Sequence, residues 1–216
     1  MRGSTRTAFA GWVGAVLWAV GGTATPAGAQ ILPDAPRMLG PYTSSGLGVH
    51  WLRAGALPDD GDAVLVTWSP ESTTRRVRLR GGAGRGAGGT VAGLGGIDVV
   101  APLGTNPSSP VRLAWTAGAG VSVGEWALVT IPAGISAGFA WQSGSVWLAP
   151  WVAAGAALDL RLGEEAPGDE FDAGVAAEVG VELSLERSRR VLVRAAASLG
   201  DRQAVAVGLV VHTGPG

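Results

Sequence analysis

Arg76, Arg78 and Arg80 occupy every second position of one segment, and Glu178, Gly180 and Glu182 do the same in another. Alternate residues of an extended strand share a face, so each set would project its polar groups from one side of a sheet. Asp98, Arg112, Asp159, Arg161 and Arg194 follow the same parity, each flanked by apolar residues. Charges of both signs gathered on one face would either line an ionic path or pair into a packed salt-bridge network. Their comparable numbers favour pairing, because an unpaired buried charge is costly. Glu178 and Glu182 lie two strand steps apart, and no motif makes them an acid–base couple.

Other chemistry is thinly represented. His50 and His212 fall in the first and last candidate strands, with Ser44 and Ser45 close to His50 in the chain. A histidine–serine hydrolase also needs an orienting acid, which nothing in the spacing supplies. Two histidines without a single cysteine make a weak metal set. GGAGRGAGG, residues 81–89, lacks the Gly-Lys-Ser/Thr ending of a phosphate loop, and the chain contains no lysine. It reads as a hairpin loop between strands. ALPDDG and GEEAPGDE would emerge on one side as an acidic rim, able to bind divalent cations or simply to keep the loops solvated. No catalytic residue, cofactor or metal ligand is assigned.

Positioning such a polar face requires strands, and period-two alternation supplies them. In FDAGVAAEVGVELSLE, Phe171, Ala173, Val175, Val179, Val181 and Leu183 oppose Asp172, Glu178, Glu182 and Ser184. A helix would mix these two sets. The pattern predicts about ten strands, over 44–55, 62–69, 74–84, 90–101, 110–122, 126–141, 146–161, 171–185, 190–199 and 203–213. Merging two weak early segments would leave eight. Residues 146–158 are alanine-rich enough for a buried helix, but Pro150, Gly155 and the alternation that follows favour a strand. Trp68, Trp126, Trp141, Trp147 and Phe171 lie near predicted strand ends, where the aromatic girdles of a membrane barrel sit. Trp115 and Trp151 lie deeper.

Composition agrees. The 216 residues are 47% hydrophobic and only 15% charged, with 36 glycines and nine tryptophans, whereas soluble domains carry about 25% charge. Beyond the N-terminal region, no apolar run reaches the length of a spanning helix. A closed sheet satisfies every backbone group in lipid without one. Arg2 and Arg6, the apolar run Ala8 to Val20 and Ala27-Gly28-Ala29 before Gln30 read as a signal peptide over 1–29, with a membrane anchor as the alternative. Its removal would take the net charge from −1 to −3, which disfavours nucleic-acid binding. Residues 30–43 are then an N-terminal extension, 44–213 the barrel and 214–216 a tail.

The signal sequence, hairpins such as IPAGISAGFAW and VRAAASLG, and the valine-rich final strand resemble the small bacterial outer-membrane barrels of the OmpA-type class. The resemblance spans about residues 44–213 and rests on pattern. It implies an all-β, closed antiparallel up-and-down transmembrane barrel of eight to ten strands, placed in the outer membrane. It also implies outer-membrane lipid and the barrel-assembly machinery as partners. Such proteins commonly end in an aromatic residue read by that machinery, whereas this chain ends in Gly214-Pro215-Gly216. The expected role is structural or a narrow pore with a charged, largely filled lumen: the network of Arg76, Arg78, Arg80, Asp98, Arg112, Asp159, Arg161, Glu178, Glu182 and Arg194. The first alternative is a soluble secreted barrel or sandwich binding an apolar ligand or a partner, with its valine face inward. A membrane-embedded lipid-modifying enzyme is the second.

Overall fold

The computed structural model describes residues 33, 35–54, 61–71, 76–86, 89, 91–104, 108–163, 166 and 170–212. The predicted signal peptide, the C-terminal tail and the acidic residues Asp59, Asp60, Glu164, Glu165 and Asp169 lie outside them. Among the described residues the architecture is all-β, with no α-helix.

Eleven strands run in order: β1 Gly46–Ala54, β2 Asp62–Ser69, β3 Arg76–Arg85, β4 Val91–Pro102, β5 Val111–Val123, β6 Ala127–Phe139, β7 Trp141–Ser143, β8 Val146–Leu162, β9 Phe171–Ser184, β10 Val191–Gly200 and β11 Ala204–Val211. Each of the ten long strands pairs antiparallel with its neighbours in sequence, and β1 pairs with β11 to close the ring. The tiny β7 is a continuation of β6. Gly138 faces Trp151 and Trp141 faces Leu148 in one unbroken register against β8. The count is therefore ten wall strands, with no merging, and residues 146–158 belong to a strand.

Local chemistry accounts for the irregularities. Gly144, at φ 61°, opens the two-residue turn between Ser143 and Val146, a conformation that glycine adopts without strain in tight hairpins. Pro132 has no N–H to donate, and the β5–β6 ladder is interrupted beside it, between the pairs Ala117↔Ala133 and Gly120↔Thr130.

The alternation is inverted relative to a water-soluble barrel. Every strand turns large apolar side chains outward, among them Val49, Val66, Ile97, Ile135, Val152 and Leu209. Arg78, Asp98, Glu182 and Arg194 point inward and are at most 2% exposed. Glycine-rich inner positions follow from the same geometry. A barrel of about eight strands is just filled by its own side chains. Ten strands leave additional room, and here the chain fills it with its own backbone.

Candidate functional site

That backbone is the stretch before β1. From Pro33 onward, the described part of the region read as an N-terminal extension runs down the lumen as a strap. It passes from the end holding the β5–β6 and β10–β11 turns, the far end, to the end where β1 begins and β11 finishes. Pro33 lies against Gly120 near the far end of β5, and Arg37 donates from Nη1 to Thr116 Oγ1 at 2.9 Å halfway along. At the near end, Tyr42 lies under the Arg112 guanidinium, 5.1 Å from the ring centre.

The lumenal charges hold the strap by its main chain. Glu178 accepts the successive N–H groups of Arg37 at 2.8 Å and Met38 at 2.7 Å. Met38 is left-handed, at φ 54°, and such a bend lets successive amides converge on one anion. Glu182 accepts the Ser44 N–H through both oxygens, at 3.2 and 3.1 Å. In return Arg78 donates to the carbonyls of Met38, at 3.2 Å, and Arg37, Arg76 to that of Thr43, and Arg194 to that of Ser44 at 3.2 Å.

The ten residues singled out from the sequence separate into groups. Arg78 Nη2 meets Asp98 Oδ2 at 2.8 Å, and Arg80 lies 3.5 Å from the other oxygen. Glu182 and Arg194, direct cross-strand partners, form a second buried pair, with Nε 2.6 Å from Oε1. Asp159 pairs with Arg202, which the sequence reading left in a turn, and accepts Thr130 Oγ1 at 2.6 Å. Glu178 is bound by the strap and by Trp151 Nε1 at 3.4 Å. Arg76 reaches the strap near the mouth. Two residues stand apart from the buried network: Arg112 is exposed at the near end over Tyr42, and Arg161 bonds Asp172 at 2.8 Å on the far rim.

Large inward side chains face glycine across the strands. Trp151 pairs with Gly180 and Gly138, Asp98 with Gly118, Arg80 with Gly96, and Gly208 lies between His50 and Arg194. A Cβ on Gly180 would overlap the Trp151 ring, and one on Gly118 would stand 2.6 Å from Asp98 Oδ1. On the strap side, a Cβ on Gly40 would also clash with the indole, 2.7 Å from Cγ. The inner wall thus alternates bulk and absence of bulk, as small barrels do.

The tryptophan assignment needs one correction. Trp147, expected near an outer aromatic band, faces the lumen instead, 5% exposed, with Arg189 5.4 Å from its ring centre. Its odd parity on β8, shared with Trp151 and Asp159, sends it inward. Trp68, Trp141 and Phe171 do face outward near strand ends, and Trp126 is half-buried in the turn between β5 and β6.

The histidines serve the seam. His50, fully buried, has Nε2 3.1 Å from Thr67 Oγ1. His212 Nδ1 lies 2.9 Å from the Ser45 carbonyl, which can only accept, so this nitrogen carries the proton. It cannot then take one from Ser45 Oγ, 3.3 Å away. Among the described residues no cluster of three or more metal-ligating side chains occurs.

Beside the strap lies a cavity of about 40 Å³, bounded by Ala35, Arg37, Pro132, Ala153, Glu178 and Arg202 among others. Arg202 was legible in principle, since it shares the even parity of the inward β11 residues Ala204 and Ala206. The strap carries no such signal, because PRMLGPYTS has no period. Compared with known protein-family models the chain matches none, and no curated protein matches it either.

Proposed function

We propose that this protein is an outer-membrane β-barrel with an occluded lumen, in which the inward charges hold an internal strap instead of lining an open path. The inverted face pattern is the observation that supports this reading. Apolar side chains cover the outside of every strand while paired charges occupy the inside. Water-soluble monomers rarely expose contiguous apolar patches beyond a few hundred Å², and the soluble alternative requires the valines to point inward. Ring closure leaves no free sheet edge, the condition for strands in hydrocarbon. Most wall strands hold nine or more residues, matching the roughly 9–11 that a tilted strand needs to cross.

Fractionation tests the reading. The protein should sediment with outer membranes, require detergent for release, and migrate differently when heated and unheated on a mild SDS gel. Recovery as a freely soluble periplasmic or secreted protein would reject it.

A further inference from the structure

We propose that the described strap, Pro33 and residues 35–45, is a displaceable plug whose withdrawal opens an ion-conducting path through the barrel. This rests on the membrane reading above and adds to it the regulation of the lumen by one identified segment.

The strap lies outside the strand ladder of the wall. Each of the ten long strands is paired on both sides by other wall strands, and the strap contributes no strand pairing. It is therefore a ligand of the barrel. Its grip consists of side-chain bonds to main-chain groups, with Glu178 and Glu182 on its amides and Arg76, Arg78 and Arg194 on its carbonyls. Bonds of this kind can be exchanged for water one at a time, whereas a strand ladder opens cooperatively.

The strap is also what closes the bore with apolar material. Each of three buried apolar clusters contains a strap residue: Met38 against Leu65 and Trp151, Tyr42 against Trp147 and Leu192, Leu39 against Val100. On the β8 side the wall facing the strap is Ala153, Gly155 and Ala157, and the 40 Å³ cavity lies there, large enough to admit water. A vacated bore would present Arg78, Asp98, Glu178, Glu182 and Arg194. Those paired charges of both signs make a wettable lining for small ions.

The threading direction provides the experimental handle. Pro33 Cβ lies 3.2 Å from the position a Cβ on Gly120 would take, near the separation of about 3.5–4.5 Å that a disulfide spans. The chain contains no cysteine, so Pro33→Cys with Gly120→Cys can form only that one intramolecular bridge, and a non-reducing gel separates it from cross-linked dimers. The full chain, this double variant and a deletion of residues 33–43 are inserted into planar bilayers for single-channel recording. Heat-modifiable migration verifies that each barrel is folded. If the open state is the minor one, at or below about 10% of the population, the deletion raises time-averaged conductance at least about tenfold with the same unitary step. The oxidised double variant shows no openings until reductant restores them. A folded deletion variant that conducts no more than the full chain overturns the proposal. So does an oxidised variant with unchanged openings, a bridge that never forms, or a deletion that cannot fold, since a displaceable strap is not required by the wall. Failure of the full-length chain to insert would instead reject the membrane reading itself, and the plug with it.

Discussion

Removing the Glu182 carboxylate should be among the costliest single changes in the lumen. Glu182 is fully buried, and Arg194 beside it is 1% exposed. In Glu182→Ala the guanidinium keeps the Ser44 carbonyl at 3.2 Å but loses its counter-ion. Breaking a buried pair from one side costs about 3–5 kcal/mol. The half-buried Ser44 N–H loses its acceptor as well, which adds up to about 1 kcal/mol because water can partly replace it. Glu182→Gln keeps an oxygen for Arg194 Nε and should cost about half as much. The double variant Glu182→Met with Arg194→Met removes both charges and refills the volume, so it should cost less than Glu182→Met alone, a coupling of about 2–3 kcal/mol. Urea unfolding in lipid vesicles, followed by tryptophan fluorescence and by the heat-shifted gel band, measures each difference. If the double variant costs the sum of its two singles, the charges are separately hydrated and the packed-lumen account is wrong.

Outward parity makes Val152, 58% exposed near the middle of β8, a probe of the proposed lipid contact: in a membrane Val152→Arg should cost about 2–4 kcal/mol and Val152→Leu almost nothing. Equal costs in vesicles would overturn the membrane reading of that face. Gly180→Ala drives a methyl into Trp151 and should cost about 1–3 kcal/mol. The outward Gly93→Ala meets nothing within 4 Å and should be neutral or stabilising by about 0.5–1 kcal/mol; the reverse order in the same unfolding assay would refute the bulk-to-glycine pairing. Arg202→Ala strips Asp159, 7% exposed, of its cation and should destabilise by about 3 kcal/mol. A loss under about 1 kcal/mol would mean that water from the far end already solvates that carboxylate.

The wall was legible because its code is local. Side chains alternate across a strand with period two, so Val175, Glu178 and Val179 declare their faces from neighbours alone, and the turns ALPDDG, QSGS and GDR mark the ends. The same parity contained the inward placement of Trp147, although proximity to a strand end is a weaker guide than face. Only the tertiary structure decided what the charges pair with. Glu182 and Arg194 lie opposite one another because of the β9–β10 register, a relation between strands that periodicity within either does not encode. Glu178 and Arg76 were expected to balance other side chains and hold main-chain groups of residues 37, 38 and 43 instead, while Arg78 does both, pairing with Asp98 and donating to the carbonyls of Arg37 and Met38. No pattern in PRMLGPYTS announces that role, because backbone groups are the same in every sequence. The strap's path through the lumen follows from the volume that ten strands enclose, and that volume exists only once the ring has closed.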